Sequence, residues 1–283
     1  MESSAVERSG TIRLGEELEV KRMAYGAMRI TGEGIWGEPA DPDEARAVLR
    51  RAVELGVNFI DTANSYGPEV SERLIAEALH PYPEDLVVAT KGGFERTGPG
   101  VWNRNGRPDH LRDACEASLK RLQLERIDLY QLHNVDPDVP LEESVGALVE
   151  LRDEGKIREI GVSNQDADQL AQSRALTDVV SVQNRFEISD RGSDPVLEIC
   201  ERDGLAFIPW NPLGAGDSGD HDLLKRIADE HDASPFQIAV AWMLARSPAM
   251  LPIPGTSSVA HLEENIASAA LELSDEQLAE LNG

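Results

Sequence analysis

The sequence predicts a (β/α)8 TIM barrel with an N-terminal β-hairpin and extra C-terminal helices, in one domain spanning residues 1–283. Three observations carry that expectation. Eight short apolar runs recur along the chain, each followed by a stretch of helical periodicity, which is the alternation that builds parallel βα units. Ionisable residues stand at the ends of successive runs, where right-handed crossovers gather them at one mouth. With 41% hydrophobic residues the chain can bury a large core, and barrels of this length are commonly one domain.

The elements follow in order. Residues 11–14 and 18–20 flank Gly15-Glu16-Glu17 and read as a hairpin across one end of the fold. The run 23–28 leads into a Gly-rich loop with Trp36, and a helix over 42–55 is stopped by Gly56. Strand 57–60 precedes a helix over 69–79, and strand 86–90 precedes Lys91, a long loop with Trp102, and a helix over 108–122. Strand 127–132 is followed by a helix over 141–154 ended by Gly155, then strand 157–162 and a short helix over 166–174. Strand 179–182, helix 195–202 and strand 205–209 continue the rhythm. Helices over 222–230 and 235–246 precede the last strand, 250–253, and helices over 259–270 and 275–281 close the chain. No repeat, linker or low-complexity segment interrupts it.

Charge narrows the function classes. The formal net charge is −25 and the pI near 4.5, a field that repels phosphate backbones and anionic lipid, so neither nucleic acid nor membrane is an expected partner. Only five of the 27 basic residues are lysines. This balance fits a cytoplasmic protein adapted to high salt, where screening relieves self-repulsion. Cys115 and Cys200 make neither a disulfide framework nor a zinc site, and point to a reducing compartment. The N-terminus lacks a basic segment followed by an apolar one, so the chain is expected to remain unexported.

The stretch from Val57 to Gly67 organises the chemistry. A short apolar strand delivers Asp61 at its end, then turns through small polar residues to Tyr66. Lys91 follows the third strand and His133 the fourth, so Asp61, Tyr66, Lys91 and His133 should meet at one mouth. A phenol of pKa about 10 is a poor acid at neutral pH, and a neighbouring ammonium lowers that value. Lys91 can supply the charge, Asp61 can hold Lys91, and His133 can orient a substrate oxygen. Taken singly, each has a commoner role as a cap, a surface charge or a core histidine. Their joint placement favours a proton donor beside a carbonyl.

The sequence resembles the aldo-keto reductase family in Asp61-Thr62-Ala63 with Tyr66-Gly67, Thr90-Lys91, Leu132-His133, Gly161-Val162-Ser163-Asn164, Gln183-Asn184, Trp210-Asn211-Pro212-Leu213-Gly214 and Ile253-Pro254-Gly255-Thr256, in family order over nearly the whole chain. The resemblance implies a carbonyl reductase, equally an alcohol dehydrogenase in reverse, with NADPH as cofactor and NADH as the alternative. It makes Tyr66 the proton donor, tuned by Lys91 and Asp61, with His133 orienting the carbonyl. Ser163, Asn164 and Gln183 then match positions that bond the nicotinamide carboxamide, and Trp210, with Asn211 beside it, the aromatic that stacks on its ring. Leu213, Gly214 and Gly216 fall in the loop that approaches the pyrophosphate. Pro254, Gly255, Thr256, Ser257, Ser258 and His261 mark the adenosine phosphate end, and Glu264 and Asn265 match adenine contacts. Gly255 stands where many members have lysine and His261 where many have arginine, which reduces the positive charge offered to a 2′-phosphate.

A small-molecule aldehyde or ketone is the expected substrate, with Tyr25, Met28, Trp36, Phe94, Trp102 and Asn134 on loops ringing the mouth. The segment 253–265 looks most like bacterial and archaeal pyridoxal-reductase-like members. Two other classes stay open. A non-catalytic NADPH-binding barrel resembling potassium-channel β-subunits would keep much of this motif set, and a metal-dependent hydrolase would need strand-end histidine and carboxylate ligands, of which only His133 is clearly placed. No metal is expected, and a monomer is favoured.

Overall fold

The computed structural model describes residues 4–211 and 221–283. A one-turn helix, α1 (Ala5–Arg8), precedes the hairpin of β1 (Thr11–Leu14) and β2 (Leu18–Lys21), paired antiparallel as expected. Then come β3 (Tyr25–Gly26), α2 (Pro42–Glu54), β4 (Phe59–Asp61), α3 (Val70–Leu79) and β5 (Val87–Gly92). A small hairpin of β6 (Phe94–Glu95) and β7 (Asn103–Arg104) follows within the long loop, then α4 (Pro108–Leu122), β8 (Ile127–Leu132), α5 (Leu141–Asp153), β9 (Ile157–Ser163) and α6 (Ala167–Leu176). The series ends with β10 (Val179–Arg185), α7 (Asp194–Asp203), β11 (Ala206–Trp210), α8 (His221–Glu230), α9 (Pro235–Arg246), α10 (Val259–Ala267) and α11 (Asp275–Asn282).

Local chemistry sets many of these boundaries. Asp41 caps α2 by accepting from the amides of Asp43 and Glu44, with Pro42 pre-set at the first helical position. Capping boxes begin α6, α9 and α11, each pairing Asp or Ser with Gln three residues on. Gly204 ends α7 at φ 71°, a left-handed conformation that other residues enter at a cost.

Seven strands form one parallel sheet in the order β3-β4-β5-β8-β9-β10-β11. The eighth stave is residues 249–254. Phe207 of β11 donates to the Ala249 carbonyl and accepts from the Leu251 amide, both at 2.8 Å, while the amides of Ala24 and Gly26 donate to the Pro252 and Pro254 carbonyls at 3.1 and 3.4 Å. The segment therefore joins both edges and closes the (β/α)8 barrel. It is not a regular strand, because Pro252 and Pro254 have no N–H to donate and leave a one-sided ladder.

Side-chain alternation divides the interior. Phe59, Val87, Ala89, Leu129, Ala206, Ile208 and Leu251 fill the lower barrel, and Leu14, Leu18 and Val20 of the hairpin seal it from below. One step further along their strands, the same face presents Asp61, Lys91 and Gln131, with Lys91 and Gln131 in register across β5 and β8. An apolar plug thus supports a polar layer at the C-terminal mouth. The helices pack outside the strands, Tyr25 and Ile60 meeting Val48, Leu49 and Leu262, and Phe207 meeting Trp242 and Ile238.

Outside the barrel, arginines bridge neighbouring carboxylates. Arg46 binds Asp43 and Glu77 at 2.6 and 2.8 Å, and Arg112 binds Glu150 and Glu154 at 2.8 and 2.7 Å. Such exposed pairs stabilise little, because water and salt screen them and ordering two long side chains opposes the gain, while the net charge of −25 is uncompensated over the whole surface. Salt screens long-range repulsion more than contacts below 3 Å. The thermal midpoint is therefore expected to rise between dilute buffer and molar KCl, and a fall measured by circular dichroism would show that the contact pairs dominate. Among the described residues no helix is long and apolar enough to cross a membrane.

Candidate active site

The mouth is built around one buried cation. Lys91 lies within β5 and not after it, fully buried, and its Nζ donates to Asp61 Oδ2 at 2.5 Å, the Thr62 carbonyl at 2.8 Å and the Tyr66 hydroxyl at 3.4 Å. Asp61 Oδ1 in turn accepts from Gln131 Nε2 at 3.1 Å and Gln183 Nε2 at 2.8 Å. The carboxylate has partners on both oxygens, so its orientation toward Lys91 is fixed. Burial of such a pair is tolerated because each charge keeps close polar partners.

Tyr66 and His133 complete the group. Their rings meet edge to face with centroids 5.8 Å apart, and His133 Nδ1 is 3.5 Å from Ser65 Oγ. Burial pushes the Tyr66 hydroxyl above the usual phenol value, with Lys91 opposing and Asp61 reinforcing the rise. The sequence-based expectation that the ammonium lowers this value holds for its sign of influence but not for the net direction. For Lys91, burial alone favours the neutral amine, but Asp61 and then Tyr66 outweigh it, and the net direction is upward. Burial, then Lys91 and Arg96, hold His133 well below the ordinary histidine value, so the imidazole is neutral near pH 7.

Around this centre the expected cofactor residues assemble unevenly. Ser163 Oγ donates to the Gln183 carbonyl at 2.7 Å, and Asn164 Nδ2 donates to Ser163 Oγ at 3.0 Å and the His133 carbonyl at 3.1 Å. Half-buried Trp210 directs its indole N–H to Asn164 Oδ1 at 3.2 Å, fixing the ring beside that cluster. Gln183 lies inside β10 and directs its amide to Asp61. Asn211 follows Trp210 at φ 63°, and Leu213, Gly214 and Gly216 lie outside the described residues.

At the far end, Gly255, Thr256 and Ser257 line a groove of about 500 Å³ with Met28, Arg29 and residues 31–35. Gly255 is explained by its neighbours: a Cβ there would sit 2.6 Å from the Gly26 carbonyl oxygen, so the lysine of many relatives cannot be placed on this backbone. Arg29 is the basic side chain lining the groove, its Cγ 3.7 Å from that Cβ position. Thr256 Oγ1 accepts from the Ser258 amide at 3.2 Å, while the Val259 amide that begins α10 is taken by Glu44 Oε1 at 3.0 Å. Pro254 and Asn265 are buried, and His261 and Glu264 exposed.

The wall residues need one correction. Tyr25 opens β3; the preceding Ala24 faces the barrel interior and Tyr25 faces the helices. Its ring is buried and its hydroxyl donates to the Thr256 carbonyl at 2.6 Å, so it does not ring the mouth. Phe94 and Trp102 do, with Phe94 4.7 Å and Trp102 6.4 Å from the His133 ring centroid. Trp36 is joined to Gly67 by a backbone bridge, and half-buried Asn134 follows His133. Sequence reasoning passed over Gln131, Arg29 and Arg96. Gln131 carried a signal, since it interrupts an apolar strand two residues before His133.

The aldo/keto reductase family model matches residues 22–218 and 219–283. The chain belongs to the aldo/keto reductase family. As a member it is an NAD(P)H-dependent oxidoreductase. The reductase is 48% identical over 283 residues to an uncharacterized oxidoreductase of Schizosaccharomyces pombe, covering 99% of this chain and 92% of that protein. It is 41% identical over 281 residues to a pyridoxine 4-dehydrogenase of Escherichia coli, covering 97% and 98% of the two chains. Among solved structures, an aldo-keto reductase of Klebsiella pneumoniae in complex with NADPH superposes with a TM-score of 0.80 at 28% identity, covering 96% of this chain and 93% of that one. Among the described residues, no group of three or more His, Cys, Asp or Glu side chains could hold a metal ion.

Proposed function

We propose that the protein is a carbonyl reductase, in which Tyr66 protonates the oxygen of an aldehyde or ketone and, in reverse, takes the proton from an alcohol. The observation that carries this reading is the buried chain from Asp61 through Lys91 to the Tyr66 hydroxyl, at 2.5 and 3.4 Å. Tyr66 is the proton donor, kept protonated by burial. Lys91 favours the phenolate left after transfer, so it lowers the barrier at the moment the charge develops. Asp61 holds Lys91 charged and aimed, and the neutral His133 ring lies where it can orient the substrate oxygen.

The cofactor is NADPH, which when bound supplies the hydride. The residues fit it. Ser163, Asn164 and Trp210 form a fixed polar and aromatic cluster beside His133, and the separate groove offers Arg29 with the Thr256 and Ser257 hydroxyls for the phosphates. Pro254, Gly255, Ser258 and His261 border that end, with Glu264 and Asn265 toward the adenine. Arg29 can supply the charge that positions 255 and 261 lack. Trp210→Ala is expected to weaken NADPH binding about tenfold, on the order of 1.4 kcal/mol, through lost ring contact. Unchanged quenching titrations in that variant would remove Trp210 from the cofactor site.

The substrate to test first is pyridoxal, because the Escherichia coli relative is a pyridoxine 4-dehydrogenase. The experiment follows NADPH and NADH consumption spectrophotometrically with pyridoxal and a panel of aldehydes and ketones, in molar KCl. NADPH-dependent turnover is the expected result. Tight NADPH binding without turnover of any carbonyl would overturn the reading.

A further inference from the structure

Arg96, in the loop after β5, ties together three loops of the mouth. Its Nη2 donates to the Gly34 carbonyl at 3.1 Å, its Nη1 to the Ser65 carbonyl at 2.9 Å and its Nε to the Val101 carbonyl at 2.8 Å. Those carbonyls lie in the loops that follow β3, β4 and β5. The guanidinium carbon is 3.7 Å from the centroid of the Trp102 ring and 5.7 Å from that of Trp36. A guanidinium is planar with donors in a fixed fork, so three carbonyls set its plane and the plane holds the indole.

What Arg96 holds is the wall of the reacting centre. Trp102 stands edge to face with Phe94 at 5.3 Å, with Tyr66 at 6.4 Å and with His133 at 6.4 Å. Ser65, whose carbonyl Arg96 binds, is the neighbour of Tyr66 and places its hydroxyl 3.5 Å from His133 Nδ1. In this network Arg96 reaches Tyr66 and His133 through Trp102 and Ser65, and its charge also bears directly on His133.

We propose that Arg96 is a positioning residue that sets substrate class, locking Trp102 beside Tyr66 and His133 so that the reductase favours flat aromatic carbonyl compounds over short aliphatic ones. This rests on the reading that the carbonyl lies between Tyr66 and His133. A clamped indole cannot swing aside, so an aromatic substrate finds ring edges already placed for edge-to-face contact. A short alkyl chain makes little of such contacts and loses little without them.

The test uses the intact protein with NADPH and two aldehydes, benzaldehyde and butanal, comparing wild type, Arg96→Met, Arg96→Lys, Trp102→Ala and the Arg96→Met/Trp102→Ala double variant. Arg96→Met is expected to lower kcat/KM about 30-fold for benzaldehyde, mainly through KM, and less than about threefold for butanal, with NADPH affinity unchanged. Arg96→Lys keeps the charge without the fork and is expected to behave like Arg96→Met, which also guards against one variant failing to fold. In the Trp102→Ala background the Arg96→Met substitution should add almost nothing. Equal losses on both aldehydes, additive losses in the double variant, or full rescue by lysine would overturn the proposal while the reductase reading stands. A wild-type protein that binds NADPH but turns over neither aldehyde, nor any carbonyl of the panel, would remove both.

Discussion

Tyr66→Phe is expected to lower carbonyl reduction by about 10²–10⁴-fold while NADPH affinity moves less than about twofold. The substitution deletes one hydroxyl from a ring that is 6% exposed and leaves the ring contacts with Trp102 and His133 in place. Among the described residues the lost atom receives a hydrogen bond from Lys91 alone, at 3.4 Å, so the ground state gives up little. Stopped-flow measurement of a single turnover, with cofactor affinity read from fluorescence quenching, separates chemistry from binding. A variant that turns over at the wild-type rate would mean that the proton comes from elsewhere in the mouth.

The same hydroxyl fixes the pH dependence. Reduction needs the phenol protonated, and burial holds its pKa above the ordinary value of about 10. Reduction is therefore expected to stay level through neutral pH and to fall only in strongly alkaline solution, whereas alcohol oxidation, which needs the phenolate, should rise in that range. His133 does not add an acid limb in the neutral region, because its pKa lies well below 6.5. A bell centred on neutrality in a kcat/KM profile would assign the proton to a group other than Tyr66.

Much of this architecture was legible from apolar runs and their endings. The stretches 108–122, 127–132 and 235–246 coincide with α4, β8 and α9, because long periodic segments with Pro at a helix start leave little ambiguity. Strand ends were less legible. Lys91 and Gln183 belong to their strands, since a charge or an amide can continue a strand when another strand inside the barrel supplies its partner. Tyr25 shows the reverse: its proximity in sequence to the mouth says nothing of which face it takes, and the alternation with Ala24 turns it outward. The meaning of Gly255 was invisible in one dimension, because the carbonyl of Gly26 that excludes a side chain there comes from the other end of the chain. Arg96 was hidden for the same reason, as nothing local signals a guanidinium shared by three loops. The Asp61, Tyr66, Lys91 and His133 group was legible because four chemically distinctive residues fall at or beside successive strand ends, and topology alone brings such positions together.

Lys91→Met tests the other half of the machinery and should separate stability from chemistry. The ammonium is fully buried and binds Asp61, the Thr62 carbonyl and Tyr66, so methionine fills the volume but leaves the Asp61 carboxylate without its counter-charge. Breaking a buried pair in this way costs about 3–5 kcal/mol, reduced here because Gln131 and Gln183 still donate to Asp61 Oδ1. Turnover should fall by a further route. Without the cation, the influence that opposes burial at the Tyr66 hydroxyl is gone and only burial and Asp61 remain, both raising its pKa, so the phenol becomes a weaker acid. Reduction is then expected to slow about 10²–10⁴-fold at pH 7, and the alkaline rise of alcohol oxidation to move to higher pH than in wild type. Adding Asp61→Asn to Lys91→Met removes the unpaired charge, so the double variant should regain much of the lost thermal midpoint yet none of the activity. Recovery of both together would mean that Lys91 serves the fold and not the proton.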